Sequence, residues 1–171
     1  MPNIFFASDH HLGHENILTF KRSDGTPLRE FKHIDEHDQY IIEQHNRRVR
    51  PCDKVYFLGD VVMSHKHLYK LDMMHGEKVL IKGNHDIHKL SQYTPFFKDI
   101  RGSHQMDGVI MTHIPIHPDS LSRWRINIHG HLHYQRVLLN KRPDTRYHNV
   151  SMECLDNYTP ISLEELKAQH G

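Results

Sequence analysis

The chain begins with a short apolar run, "NIFFAS" at residues 3–8, that stops abruptly at "DHHLGHEN". The pattern returns twice: "DKVYFLGD" at 53–60 is apolar up to Gly59, and "KVLIKGNHD" at 78–86 leaves its apolar run at Gly83. Short apolar runs bounded by turn residues read as buried strands. Between them, residues 35–49 place Tyr40, Ile41, Ile42 and Val49 on one stripe, which predicts a helix. Residues 64–75, with Leu68, Leu71 and Met74 at helical spacing, predict another. The texture then changes to short β-like segments, "FFKDIR", "HQMDGVIMTHIPI", "RINIHGHLHYQRVLL" and "RYHNVSM". Ser162 stands three residues before Glu165, a capping-box pattern that predicts a closing helix. There is no internal repeat, linker or low-complexity stretch. Strands alternating with helices, followed by strands, predict an α/β protein with a mixed or two-sheet core. At 171 residues the simplest organisation is one domain over 1–171.

Composition narrows the function classes. Lys plus Arg number 22 against 21 Asp plus Glu, a formal net charge of +1, so no charge excess calls for nucleic acid or a membrane surface. No apolar run approaches the ~20 residues of a membrane span. Cys52 and Cys154 are too few for a disulfide framework and lack metal-type spacing. Free thiols and an N-terminus without a secretory pattern predict a cytoplasmic protein.

The 19 histidines are spread along the whole chain, and some recur in one setting. Apolar run after apolar run ends in metal-type ligands: Asp9 and His11, then Asp60, then Asn84, His85 and Asp86, then His113, then His131 and His133. In open α/β sheets, sites form at the carboxyl ends of strands, where residues distant in sequence converge. Asp9 and His11 are two apart, as are His131 and His133, so an extended backbone would point each pair to one side. Gly59, Gly83 and Gly130 precede Asp60, Asn84 and His131, where unusual backbone angles or close approach are useful. Imidazole, carboxylate and carboxamide without thiolate suit manganese, iron, zinc or nickel. The set exceeds what one tetrahedral zinc needs and suits two ions ~3.5–4 Å apart with a bridging carboxylate. Such a pair clamps a phosphoryl group and makes hydroxide available near neutral pH.

The ordered blocks "DHH" (9–11), "GD" (59–60), "GNHD" (83–86), "TH" (112–113) and "GHLH" (130–133) resemble those of the calcineurin-like metallophosphoesterases. Thr112 stands where that family usually has glycine. "SDHHLGHENI" and "NVSMECLDNYTPISLEEL" look like a small bacterial and phage branch, which would put the protein in the cytoplasm of a bacterium or a phage-infected host. The resemblance implies a four-layer αββα sandwich of two mixed β-sheets flanked by helices, with a dinuclear metal site at the strand ends. It implies that Asp9, His11 and His133 bind one ion with Asp60, which bridges to a second ion held by Asn84, His113 and His131. His85 would face the substrate and assist the leaving group, and Asp86 would orient His85. The implied activity is hydrolysis of a phosphodiester or phosphomonoester by a metal-activated hydroxide, with two divalent ions, manganese foremost. The expected partner is a small phosphoester or nucleotide, with no membrane and an open oligomeric state. The alternatives are a nuclease acting on nucleic acid and a non-catalytic interaction scaffold.

Other residues carry weaker expectations. His10, His14 and His117 are candidates for the pocket wall. His129 is expected to be packed behind the ligands. Arg47, Arg48 and Arg50 are expected at a solvated helix end, and Tyr158 in packing. His33, His37, His45, His65, His67, His75, His88, His104, His148 and His170 are expected on the surface.

Overall fold

The apolar runs assemble into two mixed sheets, seen in a computed structural model that describes residues 1–170. The first sheet uses β1 (Ile4–Ala7), β2 (Lys54–Phe57), β3 (Glu77–Ile81) and β4 (Asp99–Arg101), all parallel. The second uses β5 (His104–Met106), β6 (Val109–Met111), β7 (Ile126–His129) and β10 (Tyr147–Asn149), reached past a small β8–β9 hairpin (Leu138–Leu139 with Arg142–Pro143). There β6, β7 and β10 are parallel, and β5 runs antiparallel to β6 across Asp107 and Gly108. Both turn residues have positive φ, 50° and 79°, as an Asp-Gly hairpin turn requires. Strand β11 (Ile161–Ser162) returns antiparallel to β1 and closes the first sheet's edge.

One core joins the sheets. Phe6, Phe57 and Leu80 of the first and Met111 and Ile128 of the second, with Val150 just past β10, share a single buried cluster. Burial of each such side chain contributes ~1.5–3 kcal/mol. The sheets also meet through backbone at their carboxyl ends: Ser8 N–H donates to Val150 O at 2.9 Å, and Met152 N–H to Ser8 O at 3.1 Å. That junction lies one residue before Asp9, so the fold converges where the polar loops begin.

Helices flank the sheets. Helix α1 (Ile34–Arg48) buries Ile41, Ile42 and His45, with the His45 ring stacked on Phe57. Short α2 (Leu90–Tyr93) follows β3, and α3 (Leu163–His170) lies against β1 and β11. The Ser162 hydroxyl accepts the Glu165 N–H at 3.2 Å while Glu165 accepts the Ser162 N–H at 2.9 Å, the anticipated capping box. The expected helix at 64–75 is present as a 3-10 helix, His65–Met73. On the second sheet the cover is a 3-10 turn, Pro118–Ser122, whose Leu121 joins Ile110 and Tyr147 in a smaller cluster. Among the described residues no helix is long and apolar enough to cross a membrane.

Two histidines expected on the surface lie in the interior: His37 is 0% exposed and His45 1%. Both sit on the inner face of α1, where local sequence does not reveal their distant partners. His45 Nε2 donates to the His75 carbonyl at 2.9 Å. Burial pulls its pKa from 6.5 down to about 4, with the His75 bond opposing. The unfolded chain therefore binds the proton first as pH falls, and the stability from keeping His45 neutral is present above pH 6.5 and lost between 6.5 and about 4. In His45→Gln, the unfolding free energy lost between about pH 7 and 4.5 is expected to be ~2–3 kcal/mol smaller than in the wild type, by urea titration. An unchanged pH dependence would show that His45 does not titrate across unfolding.

Candidate metal centre

Every predicted ligand leaves the carboxyl end of a strand: Asp9 after β1, Asp60 after β2, Asn84 after β3, His113 after β6, and His131 and His133 after β7. They gather into two groups, Asp9 with His11 and His133, and Asp60 with His113 and His131. Within each group one ligand atom per residue lies within 4.8 Å of the others. The groups abut, since His131 N–H donates to Asp9 Oδ2 at 2.9 Å and His11 N–H to Asp60 O at 3.1 Å. Asn84 Oδ1 lies 2.9 Å from His113 Nε2 and 3.0 Å from His131 Nδ1, which places it on the Asp60 group.

The side chains converge by a backbone device other than the expected one. An extended chain was to aim Asp9 with His11 and His131 with His133. Instead Asp9, His11, Asp60, His131 and His133 all have φ between 52° and 68°, in the left-handed region. Non-glycine residues seldom adopt it, and strain of this kind, of order 1–3 kcal/mol each, collects at functional sites. Tertiary hydrogen bonds hold it, such as Asp9 N–H to Gly59 O at 3.0 Å. Gly130 has a different reason to be glycine: a Cβ there would overlap Ser8 Oγ and Asp9 Oδ2.

The hydrogen-bond pattern leaves specific atoms bare. Asp9 Oδ2 accepts from Ser8 Oγ at 2.7 Å, Ser151 Oγ at 3.0 Å and the His131 N–H. Asp9 Oδ1 and His11 Nε2 are buried with no hydrogen-bond partner among the described residues, 3.8 Å apart. Buried polar atoms are normally paired, so an unpartnered carboxylate oxygen and an unpartnered imidazole nitrogen on the two sides of one gap fit a cation. His113 Nδ1 donates to Leu58 O at 2.7 Å, which leaves Nε2 facing Asp60 Oδ2 at 3.3 Å. Burial would lower the His113 pKa, yet Asp60 and Asp9 push it up to about 9. Burial would likewise raise the Asp9 carboxyl, but His11, His113 and His133 hold it well below the usual range. The site therefore attracts positive charge, and its two His/Asp groups can bind metal ions.

The outer residues divide. His85 is exposed, with its ring 6.2 Å from that of His11 and its backbone N–H on Asp60 Oδ1 at 2.9 Å. Asp86, expected to orient His85, is turned inward. Its carboxylate accepts N–H groups from Asp60 at 2.8 Å, Gly83 at 2.8 Å and Val61 at 3.4 Å. It braces the backbone of two ligand loops, and no hydrogen bond joins it to the His85 ring among the described residues. His14 lies beside the site, Nδ1 to Nδ1 of His11 at 3.1 Å, whereas His10 is fully buried against Phe57 and lines no cleft. His117 is exposed at the 3-10 turn over the second sheet, and His129 is buried with Nδ1 on Gly130 O at 2.8 Å. Tyr158 packs on Phe31 and Tyr40, while Arg48 and Arg50 pair with Glu165 and Asp53.

No protein-family model matches the chain. It is 30% identical over 168 residues to MJ1445, an uncharacterized protein of Methanocaldococcus jannaschii, covering 96% of this chain and 89% of that one. The chain belongs to the family of that archaeal protein. The chain is also similar to the Gene 66 protein of Mycobacterium phage D29, 24% identical over 94% of this chain and 93% of the phage protein. The fold is shared with a protein of unknown function, AQ665, from Aquifex aeolicus, at TM-score 0.75 and 23% identity over 98% of this chain and 99% of that one. An overlay on a novel archaeal phosphodiesterase, TM-score 0.49 at 19% identity over 86% and 82% of the two chains, is too loose to bear on function.

Sequence reasoning missed Glu153 at this centre. Glu153 Oε1 lies 3.0 Å from His133 Nδ1, its side chain wholly buried. Burial would raise its carboxyl, but Arg29 and His133 bring it down to about 2. No apolar run ends at Glu153, so the pattern that found the ligands passes it by.

Proposed function

We propose that the protein is a metal-dependent phosphoesterase that hydrolyses a phosphodiester or phosphomonoester with two divalent ions. The observation that carries the reading is the pair of abutting carboxylate–imidazole groups, with buried Asp9 Oδ1 and His11 Nε2 unpaired among the described residues. The resemblance of the five sequence blocks to the calcineurin-like metallophosphoesterases supports it. Asp9, His11 and His133 would hold one ion, and His113, His131 and Asn84 the other, with Asp60 shared. When bound, divalent ions supply Lewis acidity to phosphoryl oxygens and lower the pKa of a coordinated water. The chain does the rest. Leu58 O fixes the His113 tautomer, Asp86 fixes the Asp60 and Gly83 backbones, and exposed His85 gives a proton to the departing oxygen. Manganese is the first choice, with iron, zinc and nickel as competitors for the same donors.

The purified protein with Mn²⁺ is expected to turn over aryl phosphomonoesters or diesters, and to stop on chelation. A panel of both classes, with Mn²⁺, Fe²⁺, Zn²⁺ and Ni²⁺ across about pH 5 to 9, checks this. No turnover in any combination overturns the reading. Preference for diesters would direct the next panel to cyclic nucleotides and nucleic-acid ends.

A further inference from the structure

Beneath the Asp9 group runs a chain of buried charged and polar side chains that the proposed reaction does not use. Arg29 is 1% exposed, His37 0%, Asp38 2%, and the Glu153 side chain 0%. Arg29 Nε donates to Glu153 Oε1 at 2.9 Å, and its Nη2 lies 2.9 Å from the same oxygen. Its other donations go to backbone: Nη1 to His10 O at 2.7 Å, and Nη2 to Asp9 O. Nη1 also faces His37 Nε2 at 2.9 Å. A guanidinium only donates, so that nitrogen accepts, and the His37 proton sits on Nδ1, 2.7 Å from Asp38 Oδ1. Asp38 Oδ2 then accepts Gly13 N–H at 2.8 Å and Lys70 Nζ at 2.6 Å.

The arrangement is costly. A buried ion pair often does no better for stability than apolar residues of the same volume, and Glu153 Oε2 has no hydrogen-bond partner among the described residues. What it gains is position. An ionised carboxylate accepts only, so Glu153 puts the His133 proton on Nδ1 and leaves Nε2 as a lone pair. One guanidinium thereby ties the loop that carries Asp9 and His11, after β1, to the carboxylate that holds His133, after β7. Among the described residues the Asp60 group has no such device: His113 Nδ1 is held by the Leu58 carbonyl, and His131 Nδ1 faces Asn84.

We propose that Glu153, anchored by Arg29, is a positioning residue that fixes the tautomer and orientation of His133 and so sets the cation affinity of the Asp9–His11–His133 group, leaving the Asp60 group untouched. This rests on the metal reading above, but concerns only one of its two sites.

The test is Mn²⁺ alone, titrated calorimetrically into the wild type and Glu153→Gln, with thermal unfolding of each. Gln keeps the size and an acceptor oxygen but loses the charge. The wild type is expected to take up two equivalents. Glu153→Gln is expected to weaken one of them ~10–100-fold, the usual effect of losing a group that orients a ligand, and to leave the other unchanged. Should the lone Arg29 charge prevent folding, the double variant Arg29→Met/Glu153→Leu removes both charges, and the same selective loss is expected. A purely structural role would weaken both equivalents together or neither, and either result overturns the proposal. A wild type that binds two equivalents beside a variant indistinguishable from it removes the positioning role alone. A wild type that binds none removes the metal reading and this proposal together.

Discussion

Asp60→Asn is expected to abolish uptake of both Mn²⁺ equivalents, and with it all metal-dependent turnover. The two groups contain two carboxylates, and Asp60 stands where they meet. Its Oδ2 lies 3.3 Å from His113 Nε2, its Oδ1 takes the His85 N–H, and its carbonyl takes the His11 N–H. The amide preserves shape and removes charge, leaving Asp9 to balance two dications with neutral imidazoles and a carboxamide. The loss should exceed the ~10–100-fold typical of a group that merely orients a ligand. Equilibrium dialysis counts the equivalents. Thermal unfolding gives a second readout, because a ligand at about 100 times its Kd stabilises the folded state by ~2.7 kcal/mol, a gain the variant should not show. If Asp60→Asn keeps one equivalent at wild-type affinity, Asp60 serves a single ion and is not shared. The contrast with Glu153→Gln, expected to weaken one site only, separates charge from orientation.

The strand ends were legible because a buried parallel strand must be apolar along its length, so its exit into polar residues is marked in the sequence. That placed Asp9, Asp60, Asn84, His113 and His131 at the ends of β1, β2, β3, β6 and β7; the same runs pointed to an α/β protein with a mixed or two-sheet core, and the resemblance implied two mixed sheets flanked by helices. What was illegible is set by contacts across the chain. Spacing suggested an extended backbone at Asp9 and His11, but hydrogen bonds to Gly59 and Asp60 hold both residues left-handed. Asp86 looked like a holder for its neighbour His85; its carboxylate is committed to N–H groups up to 26 positions away. His37 looked like a surface residue because its partner Arg29 lies in a loop with no periodic pattern. Glu153 meets His133 across 20 positions and Arg29 across 124, and single-sequence patterns carry no trace of such pairings.

His85→Ala is expected to retain both Mn²⁺ equivalents and to slow hydrolysis by ~10²–10⁴-fold for alkyl esters, the usual contribution of a general acid. The backbone N–H of His85, which meets Asp60, survives the substitution, so the Asp60 group keeps that support. The ring is exposed, stands 6.2 Å from His11 and makes no hydrogen bond among the described residues. It is therefore free to reach a substrate. Its value depends on the leaving group. An alkoxide is a poor leaving group that needs a proton as the bond breaks, whereas a nitrophenolate departs with little help. The rate deficit should accordingly shrink towards nothing along a series from alkyl to nitrophenyl esters, and the variant should depend more steeply on leaving-group acidity than the wild type. An equal deficit across the series would mean that His85 stabilises phosphoryl charge and donates no proton. Loss of a Mn²⁺ equivalent would make His85 a ligand and would overturn the proposed division of labour in "GNHD", in which Asn84 serves the metal group and His85 the departing oxygen.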